Sequence, residues 1–239
     1  MKKLIIVFFA AFTFSATSAH AQFWKDVKNA VKEEVTGSSL TEGEVGGGLK
    51  EALMNGINKG VDQLSKPDGY FKDLSIKILL PEEAQKAEQT LRKMGMDKQV
   101  DEAIEAMNRA AEDAATGAKD IFMEAVKQMT FQDAMNILKG EQDAATKYLD
   151  KTTRTALIEK FQPVIKASLD KVDATKYWEI IFSKYNKVPF VKPINPDLEA
   201  YVTQKALDGL FHQIAKQEAE IRTNPGARTS DLLKKVFAN

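Results

Sequence analysis

From Gln22 onward the apolar residues recur at steps of three and four, the period of helices with one buried face. Phe23, Trp24, Val27, Ala30, Val31 and Val35 share one side of a first helix, with Lys25, Asp26, Lys28, Lys32, Glu33 and Glu34 facing away. A second helix is predicted from Thr41 to about Leu64, with Thr41 and Glu44 at capping-box spacing. It holds Gly43, Gly46, Gly47, Gly48, Gly56 and Gly60, and each interior glycine costs about 1 kcal/mol relative to alanine. Either the close approach of another backbone offsets that cost, or Gly46 to Gly48 is a hinge and the helix starts at Leu49.

Pro67-Asp68-Gly69 predicts a turn. Ile76, Ile78 and Leu80 predict a short extended stretch, and Val188 to Ile194 a second one. The two would pair as a minimal ribbon, confined to an edge by Pro189 and Pro193. Pro81, Glu82 and Glu83 suit the first turn of a helix that Gly95 closes. The longest helix is expected from Asp97, as its cap, to Met129, with the stripe Val100, Ile104, Met107, Ala111, Ala114, Ala118, Ile121, Ala125 and Met129. Its alanine-rich middle invites a close neighbour, expected to be the glycine-rich helix. Thr130 caps the next helix, with Phe131, Ala134, Met135, Ile137 and Leu138 inside and Gly140 as its stop. Helices follow at Ala144 to Leu149, at Thr152 to Val172 with a bend at Pro163, and at Asp173 to Tyr185, which buries Tyr177, Trp178, Ile181 and Phe182. Leu198 to Ile221 and Ser230 to Phe237 complete the chain. The fold class is therefore all-α, a multi-helix bundle with one minimal two-stranded ribbon as an optional addition.

The segment before Gln22 changes the compartment. Lys2 and Lys3, the apolar run Leu4 to Phe14 and the small residues of Ala19-His20-Ala21 form a secretory leader pattern, with cleavage expected after Ala21. The run is too short to cross a bilayer, which takes about 20 apolar residues. No cysteine is present to carry a lipid anchor or a disulfide. The predicted organisation is a signal peptide at 1–21, an amphipathic helix and linker at 22–37, and one helical domain at 38–239. No transmembrane segment is expected after cleavage, and the location is periplasmic. Loss of Lys2 and Lys3 takes the formal charge from 0 to −2, which gives no electrostatic reason to bind nucleic acid. Phe23 and Trp24 raise peripheral membrane contact as a role for the first helix, although its balanced charge favours docking on protein.

Little in the chain speaks for catalysis. His20 leaves with the leader, so His212 stands alone; it reads as a surface histidine beside Asp208 rather than a general base. Cysteine–histidine zinc sites are excluded by count, and no metal or cofactor is expected. Asn108, Arg109 and Glu112 lie beside the stripe of the longest helix, as a ligand-gripping polar pocket or as a clasp on a loop or neighbouring helix. Asp133, Asp143, Thr146 and Tyr148 flank Gly140. The carboxylate pair reads as acid–base groups or as a hard-cation site, or, more simply, Asp143 caps a helix and Asp133 occupies another's first turn. Arg222 and Arg228 bracket Asn224-Pro225 and form a candidate anion site, with a Glu218–Arg222 salt bridge as the simpler reading.

The phrases Gly48-Leu-Lys-Glu-Ala-Leu53, Met107-Asn-Arg-Ala-Ala-Glu112, Met129-Thr-Phe-Gln-Asp-Ala134, Ile137-Leu-Lys-Gly140, Ala144-Ala-Thr-Lys-Tyr148 and Leu207-Asp-Gly-Leu-Phe211, with the tail Ile221 to Phe237, resemble the exported bacterial helical proteins grouped as the domain of unknown function 4197 family. The resemblance spans roughly Ser38 to Asn239. It implies a helical fold and a Gram-negative envelope location, and it transfers no catalytic residue. The expected function is a non-enzymatic envelope protein that binds a partner protein or a small apolar or anionic ligand. The alternative is an envelope hydrolase or transferase working through Glu112, Asp133 and Asp143.

Overall fold

A computed structural model describes residues 41–239 except 94, 173, 176, 177, 179–181, 184, 185, 188–192, 194–196, 229, 238 and 239. The expected leader, the expected amphipathic helix and linker at 22–37, the expected burial of Tyr177 and Ile181, and most of the second expected extended stretch lie outside the described residues. Within them the chain forms α1 (Glu42–Leu64), a 3-10 turn (Glu82–Ala84), α2 (Gln85–Lys93), α3 (Asp97–Ala115), α4 (Ala118–Gln128), α5 (Phe131–Lys139), α6 (Ala144–Asp170), α7 (Leu198–Thr223), a second 3-10 turn (Pro225–Ala227) and α8 (Asp231–Val236). No strand occurs among them, and the all-α class stands.

The long helices α6 and α7 pack against each other, and α3 lies against both. The far side of α7 carries α1, which also touches α4, α5 and α8. One cluster of buried side chains runs through α1 and α3 to α7, including Phe122, Phe161, Leu207 and Met107.

The glycine-rich helix is continuous from Glu42, so no hinge interrupts it. Its glycines do not face the alanines of α3. A Cβ on Gly48 would lie 2.7 Å from Cγ2 of Val236 on α8; Gly56 and Gly60 receive Gln217, Ile214 and Ile221 of α7. Small positions here accept large side chains from a neighbour, which fills volume at interior density. The alanines of α3 instead let α6 and α7 lie close.

The expected helix Asp97–Met129 is two helices. α3 ends at Ala115, where Gly117 N–H donates to Ala114 O at 3.0 Å and Thr116 Oγ1 donates to Asp113 O at 2.9 Å. The stem of Lys160 crosses this break; a Cβ on Gly117 would lie 3.0 Å from its Cγ and Cε. The interruption also shifts the register: Phe122 and Val126 are buried, while Ile121 and Ala125 are only half-buried. Asp97 is the first helical residue rather than the cap, which is Met96. Further on, the two segments expected around Thr152 merge into α6, which continues through Pro163. Pro163 and Glu159, whose carbonyl loses its amide partner, both face solvent, where water can satisfy the freed group. Thr130 caps α5 as expected, but Phe131 is exposed rather than inside. Trp178 and Phe182 are buried as expected, with ring centroids 4.3 Å apart.

Candidate functional site

The polar residues of α3 hold the 65–81 connection. Asn108, fully buried, accepts from Ile78 N–H and donates to Ile78 O, both at 2.8 Å, and donates to Ile104 O at 2.7 Å. Its amide therefore pairs with Ile78 as a neighbouring strand would. No ribbon partner is needed for that residue, and the expected extended stretch is not a strand.

One turn further along, Glu112 Oε1 accepts from the N–H groups of Tyr70 at 3.0 Å and Phe71 at 3.1 Å. Its Oε2 accepts from Arg109 at 2.8 Å, and Arg109 also donates to Asp68 and Glu105. Asp68 is held below its ordinary carboxylate value by the Lys72 and Arg109 hydrogen bonds. The loop so fixed inserts Tyr70, which donates to Ala206 O at 2.7 Å and packs on Gly209, where a Cβ would lie 2.6 Å from the ring. Burial pushes the Tyr70 phenol far above its ordinary value. Asn108, Arg109 and Glu112 thus form the clasp, as the simpler reading had it.

A second clasp lies at the start of α6. Glu218 of α7 accepts from Ala145 N–H at 3.0 Å and from Thr146 N–H and Oγ1, each at 2.8 Å. The first amides of a helix have no partner within it, and here a buried carboxylate from another helix supplies one. Arg222 donates twice to Glu218 and once to Ile137 O, so the Glu218–Arg222 bridge is present. Asp143 stands at the N-cap position but makes no capping bond; its carboxylate sits 3.0 Å from Lys147. Sequence reasoning missed Glu218 as the cap, although a helix start whose Asp143 is drawn off by a lysine four residues on was a signal. Arg228 donates to the carbonyls of Ile221 and Arg222 and closes the end of α7. The guanidinium groups of the candidate anion pair are therefore occupied by protein partners.

Asp133 forms a reciprocal capping box with Thr130, whose hydroxyl bond and amide hold the carboxyl below its ordinary value. Tyr148 lies near it; burial, then the charge of Asp133, raises its phenol. Glu112 belongs to the loop clasp, while Asp133 lies in the first turn of α5 and Asp143 at the start of α6, at opposite ends of α5. His212 is exposed, and Asp208 lies 3.5 Å from the Arg154 guanidinium. Among the described residues no group of three His, Cys, Asp or Glu side chains is arranged to hold a metal ion, and no helix is long and apolar enough to cross a membrane.

A large concavity also lies along α3. A groove of about 930 Å³ runs along that helix from Met96 to Asp113. Its floor is Val100, Ala103, Ala106 and Met107. Leu80 and Ala87 form one wall; Val172, Trp178, Phe182 and Leu198 form the other. Trp178 is braced from behind by Tyr201, stacked at 5.9 Å, whose hydroxyl donates to Leu79 O at 2.7 Å; burial pushes that phenol up to about 12. Gln99, Glu88, Glu102, Glu105, Arg109, Asp113, Ser168 and Lys171 supply the polar rim. The half-buried Ala103 and Ala106 and the exposed Val172 leave apolar surface facing solvent. A faint signal for this floor lies in Ala103 and Ala106, which widen the apolar stripe to one side.

A search of curated proteins and a search of solved structures each find no match. A family model described as protein of unknown function (DUF4197) matches residues 39–238, and the chain belongs to that family.

Proposed function

We propose that the protein is a non-enzymatic binding protein of the cell envelope, exported by its leader to the periplasm, which seats the apolar face of its ligand in the groove along α3. The observation that carries this reading is the groove itself, about 930 Å³ with an apolar floor and aromatic wall. Ligand sites are typically concavities of this size with apolar linings and few polar groups. Each methylene that leaves water there contributes about 0.8 kcal/mol. The clasps support the reading in a second way. They spend Asn108, Glu112 and Glu218 on backbone amides and carbonyls, which makes those residues scaffold and keeps α3 and the 78–80 wall of the groove in place. The uncharged Ala103 and Ala106 floor offers apolar contact and no reactive group.

The test is a fluorescence titration with the neutral apolar probe N-phenyl-1-naphthylamine. The purified protein is expected to enhance its emission saturably at one site. Ala106→Trp, which fills the floor, is expected to abolish the enhancement while leaving the far-ultraviolet circular dichroism unchanged. No saturable enhancement, or equal enhancement by the variant, overturns the reading.

A further inference from the structure

We infer that the natural occupant of the groove is a basic amphipathic helix presented by a partner protein, an inference that rests on the groove reading above. The first support is charge. Helix α3 carries Asp97, Asp101, Glu102, Glu105, Glu112 and Asp113 against only Lys98 and Arg109. The groove rim repeats the imbalance, with Glu88, Glu102, Glu105 and Asp113 facing Arg109 and Lys171. Arg109 is already shared among Asp68, Glu105 and Glu112, and Arg92 at the far end among Glu88, Asp97 and Asp101. With Lys72 also on Asp68, two guanidinium groups and one ammonium serve these six carboxylates, and the rim itself holds four carboxylates against two cations, so the charge along this face is net negative. The chain as a whole is neutral, which makes this a local property of one face. A lysine- or arginine-rich partner complements it, and an anionic amphiphile is repelled.

Shape is the second support. The lining runs along α3 from Met96 to Asp113, about 25 Å at 1.5 Å per residue, the length of about 16 residues of a second helix. Ala103 and Ala106 lie in the middle of the floor, where small side chains permit the interaxial approach of about 8–10 Å found between packed helices. Val100 and Met107 flank them, with Trp178 and Phe182 on the wall. An open trough of this form suits anchors at i, i+3, i+4 and i+7 of a helix laid along it. An enclosed pocket would instead surround most of a small ligand.

Calorimetric titration with two designed helical peptides tests the inference. Both are of about 16 residues and carry the same leucine face; one has lysine and the other glutamate at the polar positions. At low ionic strength the lysine peptide is expected to bind at least about tenfold tighter, with the gap closing as salt screens the rim. Glu102→Lys alters an exposed side chain whose only described ion pair is a 3.4 Å contact with Lys98. It is expected to weaken the lysine peptide by about threefold or more at low salt and to tighten the glutamate peptide, reversing the order of the two. Ala106→Trp is expected to abolish binding of peptide and probe alike. Equal affinity for the two peptides, or tighter binding of dodecanoate than of the lysine peptide, overturns the basic-helix occupant while probe binding keeps the groove reading. Failure of probe and peptides together overturns both.

Discussion

Replacing Glu112 dissects the clasp that positions one wall of the groove. The carboxylate is nearly inaccessible, with 4 % of its side chain exposed, and it accepts from two backbone amides and one guanidinium. Glu112→Ala leaves the Tyr70 and Phe71 amides without their acceptor. Removing one partner of a buried charged pair typically costs about 3–5 kcal/mol. Arg109 keeps Asp68 and Glu105, so its charge is not stranded and the loss is expected near the lower end, about 3 kcal/mol. Glu112→Gln retains an oxygen for the two amides but turns an NH2 group toward Arg109. It is expected to lose about 1–2 kcal/mol, one charge-assisted hydrogen bond. Urea unfolding followed by circular dichroism measures both, and an unchanged denaturant slope licenses the comparison. Hydrogen exchange at Tyr70 and Phe71 is expected to accelerate in the alanine variant well before global unfolding. A loss below about 1 kcal/mol for Glu112→Ala, or equal losses for the two variants, refutes the claim that this carboxylate holds the loop.

Glu218→Ala is expected to cost more than Glu112→Ala in the same assay, because Arg222 loses the one carboxylate described against it. Gly209→Ala places a Cβ 2.6 Å from the anchored Tyr70 ring. The overpacking, about 1–3 kcal/mol, is expected to outweigh the helical gain of about 1 kcal/mol and to lower Tm. Gly47→Ala, with nothing closer than Leu232 at 4.0 Å, is expected to raise it. Asp133 titrates below its ordinary value of 3.8, so its contribution is present above that pH and is lost as pH falls through the depressed folded value. The Tm difference between wild type and Asp133→Asn is therefore expected to be steady near neutrality and to shrink below about pH 4; a pH-independent difference contradicts the capping assignment.

Helix existence was legible because each buried face repeats at helical spacing, and α1, α5 and α7 start and stop close to where capping and glycine signals place them. The interruption at Thr116–Gly117 was not legible. Alanines on both sides carry no preference for one register, and Lys160, which crosses the break, is remote in sequence. The partner of the glycine-rich helix was misread because small positions were matched with small ones, whereas Gly48 and Gly60 receive Val236 and Ile214. For the polar cluster, the rule that buried polar groups must pair foretold a clasp at Asn108 and Glu112, but only the fold shows that Ile78, Tyr70 and Phe71 are what they hold. The groove escaped the sequence because Leu80, Ala87, Val172, Trp178, Phe182 and Leu198 join α3 from segments far apart in the chain, and no local period links those segments.

Native mass spectrometry of the protein purified gently from the cells that make it tests the binding claim most directly. A stoichiometric adduct is predicted, displaced by N-phenyl-1-naphthylamine and absent from the Ala106→Trp variant. Only the bare polypeptide mass, or an adduct that the variant retains in full, would contradict a ligand seated on Ala103 and Ala106.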